Sequence, residues 1–148
     1  MKKKIYLASS LNPEMRGESL KARTILENAG FEVYYPLDYT IPNAWDYPNT
    51  EWGLMVFQND IAAIDKCDYL VLLTHGRNST AGANWEAGYA FAKGKKVIVV
   101  EMFTDEDQHP IMSLMVANGR YATVDGLAGL TQYDWFVMPK TRTETEQK

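Results

Sequence analysis

Residues 69–101 read YLVLLTHGRNSTAGANWEAGYAFAKGKKVIVVE and decide the fold of this chain. The apolar runs at 69–74 and 96–101 predict two buried strands, and the spacing within 85–93 predicts a helix between them. A strand, a helix and a second strand in this order predict a parallel pair with a right-handed crossover. Glu86 is then expected in the first turn of the helix, close to the carboxyl end of the first of these strands. Open α/β sheets bind their ligands at that edge.

The remaining segments continue this alternation of strands and helices. We predict a single-domain, flavodoxin-like (Rossmann-like) α/β fold, with a five-stranded parallel sheet in the order 2-1-3-4-5 and helices on both faces. The domain is expected to span residues 1–139, and the charged residues 140–148 are expected to form a frayed tail. The further strands are predicted at 5–8, 31–35 and 121–124, and the further helices at 13–28, from residue 50, at 110–117 and at 126–132.

Composition and charge limit the classes of function. The chain has 148 residues, of which 46% are hydrophobic and 23% charged, as in an ordinary globular domain. A net charge of −4 and a pI near 5.2 argue against a nucleic-acid polymer as partner, because such binders present a basic surface. The single cysteine, Cys67, fits a reducing, cytoplasmic location. No apolar run has the length of a signal peptide core or a membrane span, so neither is expected.

The predicted strand order brings two loops together. Its switch point lies between strands 1 and 3, so the loops that follow these strands should flank one cleft. Ser9 and Ser10 in the first loop, and residues 79–86 after the other strand, would then meet there. The segment 36–50, which is rich in proline and aromatic residues, is predicted to be a long irregular binding loop or lid.

Three candidate catalytic residues each have two interpretations. Glu86 is either a first-turn acid that complements the helix dipole or a carboxylate nucleophile that forms a covalent glycosyl intermediate. Asp60 is either an acid on the surface of the second helix or a general acid that protonates a leaving base. Tyr6, in the first strand, is either packed in the sheet or donates a hydrogen bond that orients Glu86 and tunes its pKa. The apolar stripe of the second helix is formed by Leu54, Phe57, Ile61 and Ile64.

Hydroxyl and basic side chains are candidates for substrate binding. If Ser9, Ser10, Thr80 and Ser113 converge near Arg16, they would suit a phosphate or a sugar hydroxyl; otherwise they are ordinary surface residues. The glycines form neither a dinucleotide fingerprint nor a P-loop. His75 and His109 lack metal-ligand spacing, so no metal site is predicted. A phosphorylatable receiver domain shares the topology, but the acidic residues that it needs are missing from the ends of the first and third strands.

Four motifs together resemble the nucleoside 2-deoxyribosyltransferase family, over about residues 4–124. They are IYLAS (5–9), FQNDI (57–61), AGANWEAGYA (81–90) and IMSLM (111–115). The resemblance implies a flavodoxin-like fold and a transfer of 2-deoxyribose between nucleobases with retained configuration. It also implies that Glu86 is the nucleophile that attacks C1′, that Asp60 contacts and helps to protonate the base, and that Tyr6 positions Glu86.

The same resemblance implies the partners. The substrates would be nucleobases and 2′-deoxynucleosides or their 5′-monophosphates, and no metal or organic cofactor would be needed. The chain would form a homodimer or a multiple of dimers with shared active sites, in which residues 113–115 complete a neighbour's site. The substrate-binding residues expected on this basis are Ser9, Ser10, Arg16, Thr80, Gly82, Ser113 and Met115.

Two positions depart from the transferase pattern. Thr80 stands where an Asp is usual, six residues before Glu86, and Ser113 stands where Asn is common. Hydroxyls at these places resemble the related nucleoside 5′-monophosphate N-glycosidases, because they can donate to a phosphate that a carboxylate would repel. The alternatives are therefore a 2′-deoxynucleoside 5′-monophosphate N-glycosidase, which is a hydrolase, and a non-catalytic nucleotide-binding sensor. The aromatic loop and the ANWEAG segment favour the transferase, which is the function that we expect.

Overall fold

The computed structural model describes residues 2–74, 81–102 and 113–136 and contains one five-stranded sheet. All four strand pairs are parallel, in the order β2-β1-β3-β4-β5. The prediction of a 2-1-3-4-5 parallel sheet is confirmed. The strands are β1 (Lys4–Ala8), β2 (Glu32–Tyr34), β3 (Tyr69–Thr74), β4 (Lys96–Glu101) and β5 (Ala122–Asp125). The helices are α1 (Arg16–Asn28), α2 (Asn49–Lys66), α3 (Ala81–Ala92), α4 (Leu114–Gly119) and α5 (Gly126–Gln132).

Glycines allow two of the helices to end and the chain to turn into the next strand. Gly30 follows α1 with a φ of 99°, and Gly94 follows α3 with a φ of 77°. Side chains other than glycine rarely adopt this left-handed conformation, which closes a helix by satisfying its last carbonyl groups. The backbone N–H of Gly94 accordingly donates to the carbonyl of Phe91. The sequence signal for the end of α1 at Ala29-Gly30 is thus explained by backbone geometry.

Side chains alternate between the two faces of the sheet and form two cores. The face covered by α1 and α5, which we call the closed face, packs Ile5, Leu7 and Val71 against Leu26 and Leu130. The opposite face is covered by α2, α3 and α4, and we call it the cleft face. Its buried residues from the strands and helices are Tyr6, Ala8, Ile64, Cys67, Leu70, Leu72, Ala83, Ala87, Ala90, Val97, Val99 and Val116. The prediction of helices on both faces is confirmed.

The predicted start of the third helix and the predicted irregularity of segment 36–50 were wrong. The third helix begins at Ala81 and not at residue 85, so Glu86 lies in its second turn and not in its first. The segment 36–50 is not wholly irregular, because it contains two 3-10 turns, Pro36–Asp38 and Ala44–Asp46. Proline at the start of the first of these turns supplies a φ suited to helical geometry, which explains the turn.

The apolar stripe of α2 does not become a continuous buried face. Ile64 is fully buried, but Leu54 and Phe57 remain 54% and 49% exposed. Only the C-terminal half of the helix rests on the sheet, where Ala63 and Ile64 join the core of the cleft face.

In the part of the chain that the structure describes, no helix has both the length and the apolar character of a membrane span. The charged tail, 140–148, lies outside the described residues.

Candidate active site

A cleft of about 360 Å³ opens beside the carboxyl ends of β1 and β2. Its walls come from the loop after β1, the segment after β2, one residue of α2 and the first turns of α3. The topology therefore brings Ser9, Ser10, Gly82 and Glu86 together, although they are far apart in the sequence. The lining residues are Ser9, Ser10, Leu11, Asn12, Tyr35, Pro36, Leu37, Asp60, Ala81, Gly82, Ala83 and Glu86.

Glu86 is held at the cleft by a tyrosine on β1, next to the edge strand of the sheet. The hydroxyl of Tyr6, which is fully buried on β1, donates a hydrogen bond to Oε2 of Glu86. Removal from solvent raises the pKa of the Glu86 carboxyl to about 7. A first-turn acid stabilised by the helix dipole would show the opposite direction, and the dipole acts mainly within the first turn. Its position beyond the first turn and its raised pKa therefore do not fit a charge that stabilises the start of the helix.

Asp60 faces the same cleft and has its own tyrosine. The hydroxyl of Tyr34 donates to Oδ1 of Asp60 at 2.9 Å, and the side-chain amide of Asn59 donates to the oxygen of Tyr34. Burial raises the pKa of Asp60, and the hydrogen bond from Tyr34 partly offsets that rise. Burial, together with the hydrogen bond to Asp60, also raises the pKa of Tyr34, so the phenol keeps its proton.

The two tyrosines lie against each other. Tyr6 and Tyr34 are register partners on the parallel strands β1 and β2. Their rings stack with centroids 5.2 Å apart and planes inclined by 23°. A single aromatic column therefore supports both carboxylates, because one ring donates to Glu86 and the other to Asp60.

Tyr34 and Asn59 were missed by the sequence analysis. Asn59 precedes Asp60 in the FQNDI motif, and Tyr34 precedes a second tyrosine and a proline, YYP. The alternation of side chains along β2 was the available signal, because it places Tyr34 on the face opposite Val33 and Tyr35. That signal did not show which of two adjacent tyrosines faces Asp60.

The loop after β1 supplies hydroxyl groups to the cleft. Ser10 is 6% exposed and accepts a hydrogen bond from the backbone N–H of Asn12, at 3.1 Å. Ser9 Oγ lies 3.0 Å from Ser19 Oγ, so α1 holds this loop in place. Arg16 begins α1 and is exposed, and it does not line the cleft. The structure therefore brings the two loop serines to the cleft but not the guanidinium group.

The predicted residues of α4 do not reach this cleft within one chain. Ser113 Oγ instead accepts a hydrogen bond from the backbone N–H of Val116, at 3.1 Å, and thereby caps α4. Met115 is 83% exposed and borders a shallow apolar groove between α3 and α4. Thr80 lies outside the described residues. Among the residues that the structure describes, no group of three or more His, Cys, Asp or Glu side chains could hold a metal ion.

The sequence and the fold are similar to those of known proteins. The family model for nucleoside 2-deoxyribosyltransferases matches residues 5–124. A 2-deoxyribosyltransferase from Bacillus psychrosaccharolyticus has a similar structure, with a TM-score of 0.80 and 27% identity, over 92% of this chain and 96% of that one. No curated protein matches the sequence.

Two more distant structures share the fold. A conserved protein from Enterococcus faecalis matches with a TM-score of 0.55 and 24% identity, over 89% of this chain and 87% of that one. A deoxyribosyltransferase from Leishmania mexicana matches with a TM-score of 0.52 and 17% identity, over 95% of this chain and 91% of that one. The family match spans the strands, the cleft and both carboxylates. This chain therefore belongs to the nucleoside 2-deoxyribosyltransferase family.

Proposed function

We propose that the protein transfers 2-deoxyribose from one nucleobase to another through a covalent intermediate on Glu86. The observation that carries the proposal is the hydrogen bond from Tyr6 to Glu86 in a cleft that Asp60 also lines. One carboxylate is thus oriented as a nucleophile, while a second is available as a proton donor. The family match and the similar Bacillus psychrosaccharolyticus enzyme support this reading.

In the first step, Glu86 displaces the base. The carboxylate oxygen that Tyr6 does not hold attacks C1′ of the deoxyribose, and the bond from C1′ to the base nitrogen breaks. The bonding electron pair leaves with the base, which takes a proton from Asp60. A glycosyl ester of Glu86 and a neutral free base result.

In the second step, an incoming base reverses these events. Its nitrogen attacks C1′, the ester bond to Glu86 breaks, and the proton of the incoming base passes to Asp60. Each displacement inverts C1′, so that the two together retain the original configuration.

Segment 36–50 begins at the cleft wall, which Pro36 and Leu37 line. Its exposed Trp45 is an aromatic side chain suited to stack on a base.

The protonation states suit this sequence of steps. Glu86 must be ionised to attack, and with a pKa raised to about 7 it is roughly half ionised at neutral pH. Asp60 must carry a proton when the base leaves, and burial shifts its pKa in that direction. A carboxylate with little solvation is also a stronger nucleophile towards carbon than one in bulk water.

A 2′-deoxynucleoside 5′-monophosphate N-glycosidase is the second candidate. Ser9 and Ser10 line the same cleft as Glu86, and their hydroxyl groups can donate to a phosphate. The sequence also has hydroxyl residues, Thr80 and Ser113, where transferases commonly have Asp and Asn. In this reaction water would replace the acceptor base in the second step.

We also propose that two chains share their active sites. Ser113 caps α4 and Met115 lies in it, both away from their own cleft, and Leu114 between them is 80% exposed. A symmetric pair could place these residues at a neighbour's cleft and cover the apolar surface. Sedimentation velocity at several protein concentrations tests this proposal, and a monomer at every concentration would contradict it.

A reducing, cytoplasmic location with a role in nucleobase salvage completes the proposal. Cys67 is a buried thiol whose pKa is raised to about 11 by burial, so it suits a structural role and not a reactive one. Fractionation of cells that produce the chain tests the location, and recovery outside the cytoplasmic fraction would contradict it.

One assay separates the candidate functions. Deoxyinosine and a deoxynucleoside monophosphate are each incubated with and without adenine, and the products are resolved by chromatography. A transferase needs adenine and forms deoxyadenosine, the hydrolase cleaves the monophosphate alone, and a sensor forms no product. Intact mass spectrometry should detect a deoxyribosyl adduct with the wild type.

The matched variants are Glu86→Ala and Glu32→Ala. We expect Glu86→Ala to lower the rate by about a thousandfold or more, because it removes the nucleophile. Glu32 is an exposed carboxylate on the edge strand β2, and its removal should leave the rate within about twofold. Near wild-type turnover by Glu86→Ala would disprove the assignment of the nucleophile.

A further inference from the structure

Tyr34 is partly buried beside Asp60, yet it has no part in the steps above. Its hydroxyl has one proton to donate and accepts from other groups. Asn59 Nδ2 donates to the phenol oxygen, so that the phenol proton is directed to Oδ1 of Asp60. The amide thus sets the direction of the phenol, and the phenol in turn occupies one oxygen of the carboxyl group.

This arrangement leaves Asp60 with only one oxygen for the substrate. With Oδ1 engaged at 2.9 Å, Oδ2 is the atom that can hold the proton destined for the leaving base. A free carboxyl group on a helix could rotate about its last bond and offer either oxygen. Fixing that rotation holds Oδ2 in the productive orientation and so lowers the barrier to proton transfer.

The ring of Tyr34 makes a second connection. It stacks on Tyr6, whose hydroxyl holds Glu86, and the strand register places the two rings side by side. The position of the proton donor is therefore tied to that of the nucleophile through two rings and not through the substrate alone.

We propose that Tyr34 is a positioning residue that sets the orientation of Asp60 through its hydroxyl and aligns it with Glu86 through its ring. The proposal rests on the proposed function, because it assumes that Asp60 protonates the leaving base. A purely structural tyrosine would also stack on Tyr6, but it would not need Asn59 and Asp60 on either side of its hydroxyl.

Tyr34→Phe separates these two roles, because it keeps the ring and removes only the hydroxyl. We expect kcat/KM for deoxynucleoside cleavage to fall about tenfold or more, with kcat carrying most of the loss. The control is Tyr69→Phe, which alters a tyrosine of the closed face and should change kcat/KM less than twofold. If Tyr34→Phe is as active as the wild type, the proposal is wrong.

A double-mutant cycle tests whether Tyr34 acts through Asp60. In an Asp60→Asn background, Tyr34→Phe should change kcat/KM by less than about twofold, because its target is already lost. An undiminished effect in that background would overturn the proposal. Asn59→Ala provides a second variant, which leaves Tyr34 in place. It should lower kcat/KM less than Tyr34→Phe does, and this loss should also disappear in the Asp60→Asn background.

A titration that needs no activity distinguishes failure of this proposal from failure of the proposed function. Among the described residues, the ionisable groups that bear on Asp60 are Tyr34, Glu86 in the same cleft, and Tyr39, which acts on Tyr34. Carboxyl NMR in a Glu86→Gln background removes the second titrating carboxylate. There Tyr34→Phe should raise the pKa of Asp60, because a hydrogen bond to the charged form is lost. An unchanged pKa would refute the contact, whereas a raised pKa in an enzyme that cleaves no deoxynucleoside would refute the proposed function alone.

Discussion

The two faces of the sheet differ in how completely this chain covers them. On the closed face, α1 and α5 bury Leu26 and Leu130 almost entirely against the strands. On the cleft face, α2, α3 and α4 leave large apolar side chains exposed by about half or more. These are Leu54, Phe57, Trp85, Phe91, Leu114 and Met115.

The cleft face also holds the polar network of the site. Two tyrosines and two carboxylates lie there, where aliphatic side chains would pack more favourably. The difference shows that this chain fully covers the closed face, whereas the cleft face carries the polar network of the candidate site. Such a division is expected where catalytic groups need an environment that costs stability.

A pair of leucine variants tests this comparison with the largest expected effect on stability. Leu26→Ala on the closed face should lower the free energy of unfolding by about 3 kcal/mol, because it opens a cavity in a packed core. Leu114→Ala on the cleft face should change it by less than about 0.5 kcal/mol at low protein concentration. Urea unfolding monitored by circular dichroism measures both.

The concentration dependence of the second variant sharpens the comparison. If a neighbouring chain covers α4, the loss of unfolding free energy caused by Leu114→Ala should rise with protein concentration. The reason is that only the assembled form buries that side chain. Equal costs for both leucines at every concentration would show that the two faces do not differ as described.

Replacing Glu86 tests the cost of burying a carboxylate on the cleft face. The folded pKa of about 7 exceeds the ordinary value of 4.5, so between these pH values the native state binds more protons than the unfolded state. The free energy of unfolding of the wild type should therefore fall as pH rises through this window. Glu86→Gln should remove the fall and stabilise the protein by about 2 kcal/mol at pH 8, with little effect at pH 4.

The matched control is Glu32→Gln, which replaces a solvent-exposed carboxylate on β2. Unfolding curves at pH 4, 6 and 8 for both variants give the comparison. A Glu86→Gln protein that is no more stable than the wild type at pH 8 would mean that the carboxylate is not destabilised by burial.

A pair of tyrosine variants should give the smallest effect. Tyr6→Phe removes the hydrogen bond that favours the charged form of Glu86, so the pKa of Glu86 should rise above 7. The low-pH limb of kcat/KM, which reports this group in the free enzyme, should move up by about one pH unit, with about a tenfold loss at pH 6. Tyr89 makes a comparable bond to Asp65 at 2.7 Å on the surface, and Tyr89→Phe should leave the profile unchanged. An unmoved limb in Tyr6→Phe would show that Tyr6 does not tune the nucleophile.

Much of the fold was predictable because its signals are local. The apolar runs of β3 and β4 and the turn at Ala29-Gly30 report interactions within a few residues, and the parallel alternation then restricts the strand order. The start of α3 was placed four residues late, although the sequence has Ser79 and Thr80, residue types that often precede a helix, directly before Ala81. The exposed half of α2 was also missed, because an apolar stripe indicates a surface to be covered but not what covers it.

The predicted site residues also fall into two groups, those that the structure brings to the cleft and those that it does not. Glu86, Asp60 and Tyr6 could be named from short motifs, and in the structure both carboxylates line one cleft while Tyr6 binds Glu86 from the core. Ser113 and Met115 were also named from a motif and Arg16 from its charge, yet all three lie apart from that cleft within a single chain. A motif shows which residues are present, but it does not show which cleft their side chains reach.

By itself, the sequence determined a parallel α/β sheet, its strand order and the carboxylates available for chemistry. Only the tertiary structure decided that Tyr34 and Asn59 hold Asp60, and that burial brings the pKa of Glu86 to about 7. The physical reason is sequence separation. Tyr6 and Glu86 lie 80 positions apart and Tyr34 and Asp60 lie 26 apart, so their contacts depend on strand register and helix packing and not on local preference.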